Sequence, residues 1–66
     1  MDIKEKLWNR IRELRKEKGI LQEELAWKAW LHRTYLSTVE RGLKNVSVEN
    51  IEKIALGLWV EIKDLF

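Results

Sequence analysis

The amino-acid sequence predicts an all-α fold, and three observations lead to that prediction. None of the 66 residues is proline. No stretch alternates apolar and polar residues for long enough to indicate a strand. Apolar residues instead recur at intervals of three and four, which places them on one face of a helix. We therefore expect one domain spanning residues 1–66, built as a compact set of five short helices around a single core.

The first predicted helix has clear signals at both ends. Asp2 is a plausible N-cap residue with Glu5 three positions further on, and Gly19 is the residue type that most often follows the last helical turn. The inward stripe of this helix comprises Ile3, Leu7, Ile11 and Leu14.

Four shorter helical segments follow. The second runs from about 22 to 29, the third from about 33 to 41 with Gly42 closing it, and the fourth begins at Ser47. A last turn covers residues 62–66. The residues expected to face inward are Leu25, Ala26, Ala29, Leu36, Val39, Ile51, Ile54, Ala55, Leu58, Leu65 and Phe66.

The composition argues against several classes of protein. The chain contains no cysteine, so it offers neither a disulfide framework nor a thiolate metal site. Because a secreted domain of this size usually needs such cross-links, we expect a cytoplasmic protein. No apolar run is long enough to span a membrane. With one histidine and no glycine-rich phosphate loop, the sequence predicts no enzyme, no metal, no cofactor and no small-molecule substrate.

Charge is distributed unevenly along the chain, although the net charge is only +2. Residues 1–19 contain seven basic and four acidic side chains, and residues 32–46 contain three basic side chains against one acidic. Residues 47–66 contain two basic and four acidic side chains. This asymmetry favours a basic face directed at a polyanion such as nucleic acid.

The spacing of residues 21–36 is typical of a helix-turn-helix unit. Two helices that cross closely through a short turn need a small residue within the first helix and apolar residues after the turn. Ala26, Leu31 and Leu36 meet these requirements. Trp30 stands just before Leu31, where the turn commonly requires positive φ and therefore glycine.

Three segments of the chain carry a resemblance to a known family. They are RIRELRKEKGI, QEELAWKAWLHRTYLSTVERG and NVSVENIEKIALGLWVEIKDLF. These segments look like the lambda-repressor-like (Xre) helix-turn-helix family, and especially like its small restriction-modification controller proteins. The resemblance covers about residues 7–66. It implies a five-helix domain that binds operator DNA as a symmetric dimer, with double-stranded DNA and a second copy of the chain as partners.

The resemblance also implies roles for individual residues. The positions that match base-contacting residues of the recognition helix are Arg33, Thr34, Ser37 and Thr38. The positions that match phosphate contacts are Gln22, Arg41, Lys44 and Asn45. Arg15 and Glu40 match a structural ion pair between the first and third helices. His32 near a helix start suggests a cap or a further phosphate contact, and Tyr35 is expected to pack against the domain.

The chemistry of these residue types agrees with the assignments. An arginine can donate two hydrogen bonds to guanine, while threonine and serine can contact several bases. Basic side chains after the recognition helix would neutralise phosphates, which adds affinity without base preference. The resemblance therefore implies a sequence-specific transcriptional regulator that binds a palindromic operator as a homodimer through residues 33–41.

Several positions depart from the family pattern. Leu21 replaces the usual serine or threonine cap, Trp30 and Trp59 replace glycines, and Gly57 replaces a helical alanine. Three explanations remain open. The first two are that the tryptophans enlarge a small core, or that the sequence has been engineered or has diverged. A third is that exposed residues form a self-association surface, comprising Trp27, Trp30, Leu56, Trp59 and Phe66. The alternative function is then an interaction or assembly module with impaired DNA binding, formed by a compact or a domain-swapped dimer.

Overall fold

Residues 2–42 and 46–66 are described by the computed structural model, and their helices follow the predicted order. The described residues form four α-helices and a short 3₁₀ helix: α1 (Ile3–Glu17), α2 (Gln22–Lys28), α3 (Arg33–Glu40), α4 (Val48–Leu58) and the C-terminal 3₁₀ helix (Ile62–Leu65). The all-helical class is confirmed, but the predicted count of five helices is not matched exactly, because the last segment is a 3₁₀ turn and not an α-helix. The last segment is too short for a stable α-helix, and its backbone N–H groups bond to carbonyls three residues back.

Local signals set the limits of α1. The Asp2 Oδ1 atom accepts a hydrogen bond from the Lys4 N–H at 2.7 Å, so Asp2 is the N-cap residue. At the other end Gly19 adopts φ 68°, and the Ile20 N–H donates to the Arg15 carbonyl at 3.0 Å. This left-handed termination is the Schellman motif.

The core draws on every helix. Its buried apolar residues are Leu7, Ile11, Leu14, Leu25, Ala26, Ala29, Leu36, Val39, Ile54, Ala55, Leu58 and Leu65. Two predicted core residues are not buried. Ile3 is exposed because the core along α1 begins one turn later, at Leu7, and Phe66 is exposed beyond the last buried residue, Leu65. Ile51 is partly buried against the same core.

Gly57 allows α4 to approach the end of α2. A Cβ atom at this position would lie 3.0 Å from the Leu25 Cδ1 atom and 3.3 Å from the Ala29 Cβ atom. The close approach brings the α2–α3 turn beside the C-terminal end of α4. Among residues 2–42 and 46–66, no helix is long and apolar enough to cross a membrane.

Candidate nucleic-acid interface

The turn between α2 and α3 has the left-handed conformation that a helix-turn-helix commonly requires, although tryptophan occupies the position. Trp30 adopts φ 59°. Its N–H donates to the Trp27 carbonyl at 3.2 Å, and the Leu31 N–H donates to the Ala26 carbonyl at 2.9 Å. These bonds form the same motif that ends α1, with tryptophan in the place of glycine. The helix-turn-helix therefore closes within one chain.

The caps of α2 and α3 are weaker than those of α1. Leu21 and His32 occupy the N-cap positions with extended backbone, but neither side chain makes a capping hydrogen bond. His32 is therefore the N-cap residue of α3, as the sequence suggests, but its side chain donates and accepts no capping hydrogen bond. The His32 side chain is exposed instead.

An ion pair and its hydrogen bonds hold the end of α3 against α1 and α2. The ion pair expected between Arg15 and Glu40 is present, with Nε to Oε2 at 2.8 Å and Nη2 to Oε1 at 3.1 Å. The Gln22 Nε2 atom also donates to Oε1 at 3.2 Å, and Arg15 donates to the Ile20 carbonyl at 2.9 Å. Since Glu40 is buried, these donors compensate its lost hydration.

The buried face of α3 leaves the predicted base-contacting residues on the opposite side. Leu36, Val39 and Glu40 are buried. Arg33 and Thr34 are exposed, while Ser37 and Thr38 are partly exposed. Arg33 and Ser37 lie one helical turn apart, as do Thr34 and Thr38. All four predicted base-contacting residues therefore share one face of α3. The Thr38 hydroxyl donates to the Thr34 carbonyl at 2.6 Å.

Tyr35 joins α3 to α4. Its side chain is partly buried against the core, and its hydroxyl accepts a hydrogen bond from the Asn50 Nδ2 atom at 3.0 Å. This agrees with the expectation that Tyr35 packs against the domain. The contact fixes the first turn of α3, where Arg33 and Thr34 lie.

The predicted phosphate contacts differ in what surrounds them. Gln22 is partly buried and bonded to Glu40, whereas Arg41 is exposed directly after α3. The predictions for Lys44 and Asn45 lie outside the described residues.

Two long-range contacts near this face escaped the sequence analysis. The Arg12 Nη1 atom donates to the Glu40 carbonyl at 3.3 Å, at the C-terminal end of α3. The Glu23 Oε2 atom lies 3.9 Å from the Arg33 Nη1 atom. No helical periodicity links these pairs, because their partners belong to different helices. Only the packing of the helices brings them together.

Four of the five predicted self-association residues line one groove of about 650 Å³ between the α2–α3 turn and the end of α4. Trp27, Trp30 and Trp59 are 79–87% exposed, and Leu56 is also exposed. We call these four residues the tryptophan patch. Phe66 is exposed but does not line this groove. The explanation that tryptophans enlarge the core is therefore wrong for these three, whereas Trp8 does pack partly against the core.

Comparison with known proteins agrees with this geometry. A helix-turn-helix family model matches residues 11–65. Control protein C.BamHI of Bacillus amyloliquefaciens is 51% identical over 57 residues, which cover 85% of this chain and 70% of that protein. The HTH-type transcriptional regulator SinR of Bacillus subtilis (strain 168) is 44% identical over 57 residues, covering 85% of this chain and 51% of that protein.

The similarity extends to solved structures. The crystal structure of the restriction-modification controller protein C.AhdI from Aeromonas hydrophila superimposes with a TM-score of 0.90 at 49% identity, covering 92% of each chain. These relatives are regulators rather than enzymes. The chain belongs to the helix-turn-helix family of DNA-binding transcriptional regulators and is similar to its restriction-modification control proteins.

Proposed function

We propose that this protein binds a palindromic operator as a homodimer, with α3 as the recognition helix, and so regulates transcription in a sequence-specific way. The observation that carries the proposal is the outer face of α3. Arg33 and Thr34 are exposed at its N-terminal end, the part of a recognition helix that enters the major groove. The opposite face is anchored in the core by Leu36 and Val39.

Each side chain has a chemical role in this proposal. Arg33 donates two hydrogen bonds to a guanine, and the hydroxyls of Thr34, Ser37 and Thr38 hydrogen-bond to neighbouring bases. The threonine methyl groups can also contact a thymine methyl group. The proposed phosphate contacts are Gln22, His32, Arg41, Lys44 and Asn45. Phosphate contacts set the position of the protein on the duplex without distinguishing its sequence.

A homodimer would repeat this contact along the DNA. Two copies related by a two-fold axis contact half-sites about 34 Å apart, one turn of the duplex. The family resemblance supports the symmetric dimer, and the palindromic operator follows from the symmetry.

Selection of bound duplexes from a random pool tests the proposal. We expect enrichment of an inverted repeat. A plot of the logarithm of affinity against the logarithm of salt concentration should have a slope of about −0.9 for each phosphate contacted. Absence of enrichment, together with absence of binding to any duplex at low salt, would contradict it.

A second candidate function is supported by the tryptophan patch. Large aromatic side chains bury about 150–250 Å² each in a contact. Three such side chains therefore supply most of the roughly 800 Å² that each partner contributes to a standard interface. We propose that a second copy of this chain covers the patch, in a compact dimer that acts as an assembly module.

Size-exclusion chromatography with light scattering tests this candidate. We expect a dimer at micromolar concentration that Trp27→Glu converts to monomer, because a charge would then be buried in the contact. Ile3→Glu is the matched control, since Ile3 is also exposed but lies outside the groove. If the parent protein is a monomer, the tryptophan patch does not form a dimer contact. The same conclusion follows if Trp27→Glu and Ile3→Glu change the oligomeric state equally.

A further inference from the structure

We propose that Glu23 is a specificity-determining residue, which orients the Arg33 guanidinium and opposes its contact with DNA phosphates. The proposal rests on the proposed function of α3 and deepens it. Glu23 lies in the first turn of α2, and Arg33 is the first residue of α3. Their side chains meet at 3.9 Å between Oε2 and Nη1.

The position of Glu23 is fixed by its neighbour in the chain. Gln22 is tied to the buried Glu40 carboxylate, which is itself paired with Arg15. The first turn of α2 is thereby anchored to the end of α3. The backbone of Glu23 is consequently held beside the N-terminal end of the recognition helix, within reach of Arg33.

The ion pair between Glu23 and Arg33 contributes too little to folding stability for stability to explain it. The Arg33 and Glu23 side chains are 68% and 77% exposed, and exposed ion pairs contribute little to stability. The other acidic groups near this face have other partners. Glu24 pairs with Lys28 at 3.6 Å, and Glu40 pairs with Arg15.

The geometry separates two kinds of contact with DNA. A guanidinium has five N–H donors, so a carboxylate near Nη1 leaves donors free for the O6 and N7 atoms of a guanine. The guanine edge carries no formal charge and is not repelled by Glu23. A phosphate contacting the same guanidinium would approach the Glu23 carboxylate, and the two negative charges would repel each other. Glu23 thus lowers non-specific affinity more than operator affinity.

The test uses Glu23→Gln, which removes the charge and keeps the shape. Dissociation constants are measured at one salt concentration on the selected operator, on a non-operator duplex, and on the operator with the guanine opposite Arg33 replaced. We expect non-operator affinity to rise, and the ratio of operator to non-operator affinity to fall by about two- to fivefold, the range available to an exposed charge pair.

Glu24→Gln is the matched control, because it removes the same charge from the same turn but leaves Arg33 paired with Glu23. This control should raise the affinity for all duplexes alike and leave the ratio unchanged. In an Arg33→Ala background, Glu23→Gln should no longer change the ratio.

Three results would overturn the role of Glu23. The first is an unchanged ratio of operator to non-operator affinity in Glu23→Gln. The second is an equal fall of that ratio in Glu24→Gln, and the third is a fall that Glu23→Gln still causes in the Arg33→Ala background. If the parent protein itself does not distinguish operator from other duplexes, the proposed function of α3 fails as well. The two failures are therefore distinguishable.

Discussion

Trp30 and Trp59 adopt a backbone conformation that glycine enters without steric cost. Their φ angles are 59° and 61°, close to the 68° and 75° of Gly19 and Gly42. A side chain in this left-handed region costs roughly 1–2 kcal/mol. Both indole rings are exposed, so core packing does not offset the cost. These two positions are sites of local strain at the ends of α2 and α4.

Replacing Trp30 by glycine should relieve that strain. We expect Trp30→Gly to raise the free energy of unfolding by about 1 kcal/mol, after allowing for the greater freedom of glycine in the unfolded chain. Urea denaturation measures the change. Trp27→Gly is the control, since Trp27 is equally exposed but helical, and glycine there should lower stability by about 0.5–1 kcal/mol. No rise in Trp30→Gly would contradict the strain.

Among the elements, α2 differs from α1 and α4 in how it begins. Asp2 and Ser47 accept hydrogen bonds from the first turns of their helices. Leu21 occupies the corresponding position of α2 without such a bond. The two acidic residues that follow, Glu23 and Glu24, favour the helix start through the helix dipole. The backbone N–H groups in the first turn of α2 therefore lack the side-chain acceptor that α1 and α4 have.

A side-chain acceptor at this position should stabilise α2. We expect Leu21→Ser to raise the free energy of unfolding by about 1 kcal/mol, the usual contribution of an N-cap. Leu56→Ser provides the comparison, since Leu56 is similarly exposed but lies inside α4. Thermal unfolding of both variants measures the difference, and an equal change in the two would count against a capping effect.

We expect the ion pair between α1 and α3 to have a larger effect on stability than any cap. Removing Arg15 would leave the Glu40 carboxylate buried with Gln22 as its remaining side-chain donor. We expect Arg15→Met to lower the free energy of unfolding by about 3 kcal/mol, and Gln22→Ala by about 1 kcal/mol. Denaturant titration of the two variants gives the comparison. Equal losses would show that the charge of Arg15 is not what compensates Glu40.

At the scale of the whole molecule, DNA binding divides into a base-specific part and a phosphate part. Arg33 lies on the outer face of α3, and Lys44 follows that helix in the sequence. We expect Arg33→Ala to relax base preference at one step of each half-site, at a cost of about 1–3 kcal/mol on the operator. Lys44→Ala should weaken binding to all duplexes alike and reduce the salt slope by about one. Binding titrations at several salt concentrations separate these effects, and identical profiles would refute the division of roles.

Much of this fold could be predicted because its signals are local. Asp2, Gly19 and Ser47 limit their helices through backbone hydrogen bonds to residues within a turn or so. The helical period likewise identifies the outer face of α3 around Arg33. The exposure of Ile3 could not be predicted in this way. Helical spacing identifies the inward face of α1, but it does not show how far along that face the core extends.

The sequence by itself determined where the helices begin and end, to within about a residue, and which face of α3 is buried. Each of these depends on interactions within a few residues of the chain. Only the tertiary structure decided that Trp27, Trp30 and Trp59 share one exposed groove and that Glu23 meets Arg33. Those contacts join different helices, and their distances depend on how closely α2, α3 and α4 pack.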